Sequence, residues 1–523
     1  MLYLGVLVGG AAVLAVELSL SRLLGRVFGA SNIVWSNVIA LVLLCLCAGY
    51  YLGGRLIDRR PQASLFYGLM VLSGLSLAVV PYVAPAVLSW CGQWASQTSG
   101  GVLWGSFVAA VVLGAPVETL LGCLSPCAIR LILQDVQSSG RAAGRLYAIS
   151  TLGSLLGTFV PVLLLIPVIG TARTILVVAM SLVLVGSVGL CLIATRTRRA
   201  VAGVVAGTLA CGTIVVTPPA PATRTLPGVA LLSERESTYN LVRVGEVQRP
   251  FADLPEGARL LLLNEGSGVQ SVWRRDGNLG GGLWDLFLAA PYFDAVAPEP
   301  RRVCIVGLAG GSLAQLWRRA YPSGLRIDGV ELDPAVIELS RRYLALDDAG
   351  VNVVEGDGRL ALLGLPGPYD VIALDAYRTP YVPWHLLTVE FLREVSAKLG
   401  PRGVVAVNLT RGGDGSDRRL VEGATATLLE VFPTLHTMDM HGTLNTVVVA
   451  TKQPSSVTDL SRNQAGLHAD SAPELRRALA HAWESLVPTT ASDLIFTDDR
   501  TEAERIVDSM VLGGLASSPG ADR

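Results

Sequence analysis

The residues able to do chemistry gather in four segments of the C-terminal half. Gly307, Gly310 and Gly311 stand in GLAGGS, where backbone without side chains admits a ligand closely, although tight turns also need glycine for steric reasons alone. Glu331 follows 20 residues after Gly311, a spacing at which a carboxylate can accept both hydroxyls of a ribose. Asp357, followed by Gly358 in EGDGR, is placed to accept a hydrogen bond from an adenine amino group. Asp375 in IALDAY occupies the position of a group that faces the reacting atoms. Each acid also reads as a helix cap or a solvated loop residue. Four successive strand ends in this order argue instead for a nucleoside site. The glycine turn is not GxGxxG, so the ligand is expected to be of adenosyl rather than dinucleotide type.

Such residues need elements to hold them. From 302 the sequence alternates: strand RVCIVGL, helix SLAQLWRRAY, strand LRIDGVEL, helix PAVIELSRRYLAL, then strands VNVVEGD and YDVIALDAY. The helix TVEFLREVSAKL and the strand GVVAVNLT follow. This rhythm predicts a parallel sheet with helices on both faces, with chemistry at the carboxyl ends of its strands. Ahead of it, ESTYNLVRVGEV and ARLLLLNEGSGVQSVW read as paired strands. Beyond it come the helix APELRRALAHAWESL, the run FTDDRTEAERIVDSMV and a tail, GLASSPGADR, expected to be disordered. Asp498 and Asp499 in DDR read as a helix start rather than as ligands.

The N-terminal part obeys a different solvent. Of 523 residues 83 are charged, but residues 1–217 hold only 16 of them, which no ordinary soluble domain does. Seven apolar stretches are long enough to cross a bilayer, near 3–22, 33–54, 65–89, 103–130, 147–168, 172–194 and 201–217. Glu17 inside the first, with no basic region before it, argues against a signal peptide. Pro116 and Pro126 are expected to kink the fourth. Arg55, Arg59, Arg60, Arg130, Arg141, Arg145, Arg196, Arg198 and Arg199 fall in the links after even-numbered spans; only Arg22, Arg26 and Arg173 fall in the others. That bias places the N-terminus in the cytoplasm of a multi-pass cell-membrane protein. Glu17 and Glu118 lie within apolar spans, and two readings stand: an interhelical tie, for instance to Arg22 or Arg26, or a path for a cationic solute such as a polyamine.

Other classes are disfavoured. The net charge of −1 carries no basic stripe for nucleic acid. Seven of eight cysteines lie in the apolar part, no pair has CxxC spacing, and the first histidine is His385. Cys123 and Cys127 therefore read as small membrane-helix residues, and no metal site is expected. TPPAPATRTLPG, at 217–228, reads as a stiff Pro-rich linker. The expected organisation is a transmembrane domain at 1–217, a linker at 218–231 and a small β-region at 232–300. A nucleoside-binding α/β core at 301–455 and C-terminal helices with a tail at 456–523 complete it.

The stretches STYNLVRV, VCIVGLAGGSL, GVELDPAVIELSRRYL, VVEGDGRLAL, YDVIALDAY and LTVEFLREVSAKLGPRGVVAVN make residues 232–452 resemble the spermidine synthase family of polyamine aminopropyltransferases. AVELSLSRLLGRVFGAS and GRLYAISTLGSLLGT are similar to apolar regions fused to such domains. The implied fold class is an all-α polytopic membrane bundle of about seven helices. A small β-region and a Rossmann-like α/β methyltransferase/spermidine synthase fold follow it. The resemblance implies spermidine biosynthesis: an aminopropyl group passes from decarboxylated S-adenosylmethionine, a co-substrate, to putrescine or a related amine. No prosthetic group is implied, and a second copy of the chain is left open as a partner. By the same resemblance Asp375 orients and deprotonates the amine, Glu331 holds the ribose, and Asp357 with Gly358 holds the adenine.

The departures from the family pattern concern the acceptor. Arg378 stands where the family has a second Asp, the glycine loop lacks its Asp, and Leu283, Trp284 and Asp285 replace a Tyr-His-Glu triplet. Asn240 replaces a glutamine, whereas Gln270 keeps a family position. Two other functions stay open: methyl transfer by the same fold, and a domain that senses a polyamine or nucleoside to regulate transport. So do two topologies. Seven spans put residues 218 onward outside, away from a donor made within cells; six put them inside.

Overall fold

In the computed structural model the described residues are 1–28, 31–95, 101–132, 139–193, 226–250, 253–264, 268–296, 298–377, 381–468 and 471–513. They divide into two compact units, Met1–Arg224 with Glu236–Tyr239, and Thr225–Arg235 with Asn240–Arg523. The expected seventh span at 201–217, Arg378 and the tail GLASSPGADR lie outside the described residues.

The first unit is helical: α1 (Leu2–Phe28), α2 (Asn32–Arg59), α3 (Ala63–Ala95), α4 (Gly101–Gly122), α5 (Leu124–Ile132), α6 (Ser139–Val160) and α7 (Ile166–Ile193). Among the described residues five helical stretches are long and apolar enough to cross a membrane, where the sequence reading expects six of its seven spans. The last of these, Gly140–Ile193, runs through a π-turn at Pro161–Leu165 and has 54 residues, over twice the roughly 20 that one crossing needs. It breaks at Gly170, whose φ of 80° no helix tolerates, between the two apolar stretches at 147–168 and 172–194 that the sequence separates. Between α4 and α5 the helix breaks at Cys123, one turn before Pro126, whose ring opposes the carbonyl four residues back. Glycine lets α1 and α6 meet backbone to backbone: a Cβ on Gly157 would lie 2.0 Å from the Ala11 carbonyl oxygen. Small residues replace the hydrophobic effect as the source of packing in such bundles.

The second unit opens with an antiparallel sheet of β1 (Val229–Glu236), β2 (Leu241–Val247), β3 (Arg259–Leu263) and β4 (Val269–Trp273) in that order. β1 starts inside the stretch expected to be linker, because VALLSERE has apolar residues able to pair with β2 despite the prolines ahead of it. After α8 (Leu283–Ala289) comes an eight-stranded sheet ordered β12-β10-β11-β9-β8-β5-β6-β7. Its strands are β5 (Arg302–Val306), β6 (Arg326–Glu331), β7 (Val351–Glu355), β8 (Tyr369–Leu374), β9 (Leu399–Thr410), β10 (Thr434–Asp439), β11 (Asn445–Thr451) and β12 (Leu486–Val487).

β5 to β9 are parallel, as the alternation predicts, but β10, β11 and β12 are not. The connection from β10 to β11 spans only Met440–Leu444, too short for the crossover that a parallel pair requires. Helices cover both faces, and period-two alternation assigns the strand residues. Cys304 and Val306 of β5 join a core with Phe391 and Leu420, from α12 (Val389–Lys398) and α13 (Arg419–Leu429). Val303 and Ile305 join the opposite core with Trp317 and Leu479, from α9 (Ser312–Ala320) and α15 (Pro473–Ser485).

Asp498 does not start a helix. It accepts hydrogen bonds from Arg359 Nη1 at 2.8 Å and Thr388 Oγ1 at 2.7 Å, and the following helix, α16, is Ala503–Gly513.

Candidate functional site

Strand order reverses between β5 and β8: β6 and β7 follow on one side of β5, β9 on the far side of β8. At such a switch point the loops leaving two neighbouring strands part and open a crevice. Gly307 leaves β5 and Asp375 leaves β8, and both line a cavity of about 460 Å³. Gly307 has a φ of 91°, and a Cβ there would lie 2.4 Å from the Asp375 carbonyl oxygen, so only glycine lets the two loops meet.

Asp375 keeps only the access that this cavity gives it. Its Oδ1 accepts from Asn408 Nδ2 at 2.8 Å, and Asn408 Oδ1 in turn accepts from Asn445 Nδ2 at 3.0 Å. Burial pushes the Asp375 carboxyl up to about 7, while the Asn408 hydrogen bond pulls the other way. A carboxylate ionising there is a base matched to neutral pH. The Tyr377 hydroxyl, two residues on, is buried, lines the same cavity and has no hydrogen-bond partner among the described residues. Burial and the nearby Asp375 charge hold its phenol well above the usual tyrosine range.

Glu331 ends β6 beside the glycine turn. Its Oε2 accepts from Ala309 N at 2.9 Å and its Oε1 from Asp333 N at 3.0 Å. Each oxygen keeps a further lone pair for a ligand hydroxyl. Burial raises its pKa, and these backbone donors oppose the shift.

Glu331 and the remaining expected site residues stand outside the cavity wall. Asp357 is the N-cap of α11 (Gly358–Gly364), accepting from Arg359 N and Leu360 N through Oδ1, while Oδ2 meets His385 Nε2 at 3.1 Å. Gly358 packs on β5, where a Cβ would lie 2.6 Å from Val306 Cγ1. Gly310 and Gly311 shape the turn: Gly310 N donates to Ser271 Oγ at 2.8 Å, and Gly311 caps α9 with a φ of 81°.

Several wall residues escaped the sequence reading. Asn408, Thr410, Thr443 and Asn445 come from β9 and the β10–β11 hairpin, which carry no motif. Ser271 stands one residue after Gln270, and both line the cavity from β4. Leu283 and Trp284 line it too, but Asp285 points away: it is fully buried, accepts from Gly281 N at 2.8 Å and pairs with Arg477 at 3.3 Å. Asn240 donates to Asp333 Oδ2 at 3.0 Å and lies outside the wall. Among the described residues no group of three or more His, Cys, Asp or Glu side chains is arranged for a metal.

In the helical unit, Arg22 and Arg26 form their ion pairs with Glu236, which groups with that unit, rather than with Glu17. Both carboxylate oxygens of Glu118 are buried without a hydrogen-bond partner among the described residues. The interhelical tie expected for these acids is thus not formed through either arginine.

A mixed α/β sheet with carboxylates at successive strand ends and a cavity at the switch point defines a Rossmann-like class of fold. Residues 291–410 match the family model described as the spermine/spermidine synthase domain. Over 237 residues the chain is 32% identical to a probable polyamine aminopropyl transferase of Bifidobacterium longum, covering 45% of this chain and 50% of that one. It is 37% identical over 139 residues to a polyamine aminopropyltransferase of Vibrio vulnificus, covering 26% and 44%. Over 168 residues it is 29% identical to the human eEF1A lysine and N-terminal methyltransferase, covering 30% and 23%. The chain spans about half the length of the aminopropyltransferases it matches.

Proposed function

We propose that this chain is a membrane-fused aminopropyltransferase that uses decarboxylated S-adenosylmethionine as donor and putrescine or a related aliphatic amine as acceptor. The observation that carries the reading is Asp375, an acid ionising near neutrality at the switch-point cavity of a spermine/spermidine synthase domain. The amine nitrogen lone pair attacks the aminopropyl carbon bound to sulfonium. The C–S bond breaks, its electron pair neutralises the sulfonium, and methylthioadenosine leaves. Asp375 accepts the proton released from nitrogen. Glu331 holds the ribose hydroxyls with its remaining lone pairs, Asp357 and Gly358 flank the adenine, and Gly307, Gly310 and Gly311 bring backbone close to the donor. Positioning supplies much of the rate, because two bound reactants react as one molecule. The apolar helical unit holds the enzyme in a bilayer, with Gly140–Ile193 crossing twice.

Methyl transfer from ordinary S-adenosylmethionine is the second reading, favoured by the human relative and by a cavity wall in which Asp375 is the one carboxylate among the described residues. One assay separates the two. Full-length protein in detergent is given each donor with a panel of amines. Methylthioadenosine together with an aminopropylated product supports the proposal, and methylated product without methylthioadenosine replaces it.

A further inference from the structure

Two carboxamides, neither of them in a sequence motif, stand in line behind Asp375. The parallel register pairs Leu374 with Val407, so one residue further on Asp375 comes beside Asn408. The antiparallel register pairs Asn408 with Val447 and Thr410 with Asn445. Asn445 is therefore the diagonal neighbour of Asn408 on the same face of the sheet, close enough for the side chains to meet. Asn445 Nδ2 donates to Asn408 Oδ1 at 3.0 Å, and Asn408 Nδ2 donates to Asp375 Oδ1 at 2.8 Å. All three residues line the cavity of about 460 Å³.

A carboxamide accepts at one end and donates at the other. With its oxygen held by Asn445, Asn408 has its nitrogen to offer Asp375. Turned over, it would set oxygen against oxygen at the carboxylate and give up both hydrogen bonds. The turn becomes favourable when Asp375 takes a proton, because the new O–H then has an acceptor to meet. The hydrogen bond from Asn445 opposes that turn and so favours the ionised acid. The far end of the chain is fixed by the hairpin. Asn445 N donates to Thr443 Oγ1 at 3.2 Å, and the Asn445 carbonyl accepts from Met440 N at 2.9 Å and Arg411 Nη2 at 3.4 Å.

We propose that Asn445 is a positioning residue for the reaction: acting through Asn408, it keeps an N–H donor turned to the carboxylate that accepts the amine proton. The inference rests on the reading of Asp375 as that acceptor. Competing charge is small in the wall. β4, α8, β9 and the β10–β11 hairpin contribute amides, hydroxyls and apolar groups, and Tyr377 is the one other titratable side chain among the described wall residues.

The test titrates the Asp375 carboxyl in the full chain in detergent, as the protonated-carboxyl infrared band that Asp375→Asn removes, beside the pH profile of methylthioadenosine release. Asn445→Leu should move both upward by about half to one pH unit, the worth of one neutral hydrogen bond. In the Asn408→Leu background, Asn445→Leu should move neither further. A rate lowered equally at every pH with an unmoved titration, or the same shift in both backgrounds, would overturn the inference. The infrared titration needs no turnover, so a parent that releases no methylthioadenosine overturns the aminopropyl reading while the titration still decides this one. If Asn445→Leu is not recovered folded, Asn445→Asp, of equal size and without the donor, supplies the decision. A larger shift beside Asn408 than with Asn408→Leu supports the relay, and equal shifts remove it.

Discussion

Replacing Asn408 by leucine isolates the one hydrogen bond that holds Asp375 in its ionised form. Asn408 is 3% exposed, donates to Asp375 Oδ1 at 2.8 Å, and opposes the burial that pushes the acid up to about 7. A hydrogen bond to a charged group is worth about 1.5–3 kcal/mol. At about 1.4 kcal/mol per pH unit, its loss moves the ionisation of Asp375 upward by roughly one to two units. The base works only when ionised, so activity appears as pH rises through that value. At pH 7 the ionised fraction falls from about half to between about a tenth and a hundredth, a loss of about five- to fiftyfold in kcat/KM. The assay is methylthioadenosine release across pH 5.5–10 for both proteins, with amine and donor fixed. Ionisation of the amine affects both profiles equally and cancels in their ratio. The expected ratio recovers toward alkaline pH. A ratio that is low but constant across pH would mean that Asn408 serves packing alone, and would refute the proton-accepting role drawn for Asp375.

Asp375→Asn should raise Tm at pH 8 and leave it nearly unchanged at pH 4. The native acid binds a proton up to about 7 while the unfolded one releases it near 3.8, so native stability falls as pH climbs between those values and the amide escapes that loss. Tyr377→Phe removes a buried hydroxyl that no described residue satisfies, so thermal melting should show equal or higher stability. If that hydroxyl meets a ligand, the same variant raises KM by about five- to tenfold; an unchanged KM would exclude the contact. Gly307→Ala forces a Cβ to within 2.4 Å of the Asp375 carbonyl oxygen at a positive φ, and should cost about 1–3 kcal/mol in chemical denaturation together with most activity. A fully active alanine variant would show that the two loops move apart freely.

The parallel core from β5 to β9 was legible because its strands are apolar runs, those from β5 to β8 ended by glycine or an acid, and local alternation reports them well. Gly307 and Asp375 were legible for the same reason: they follow the two strands that meet at the switch point, while Glu331 ends the neighbouring β6. Asp357 shows the limit, since an acid at a strand end is often also the first residue before a helix, and here it caps α11 while meeting His385. Asn408, Asn445 and Thr443 were invisible because they become neighbours only through the antiparallel insertion of β11 beside β9. That insertion is a long-range pairing, set by the short Met440–Leu444 turn, and no motif announces it. In the apolar half, composition identified long membrane-type helices. It separated the stretches on either side of Gly170, where the helix breaks, but could not tell that Glu118 would be buried without a hydrogen-bond partner among the described residues.

The central claim is that Asp375 accepts the amine proton in aminopropyl transfer. The most direct measurement follows methylthioadenosine release by the full-length protein from decarboxylated S-adenosylmethionine with putrescine, beside Asp375→Asn of equal folded fraction. Release by the parent, with a drop of about two to four orders of magnitude in the variant, is the predicted result. Equal release by both proteins would contradict it.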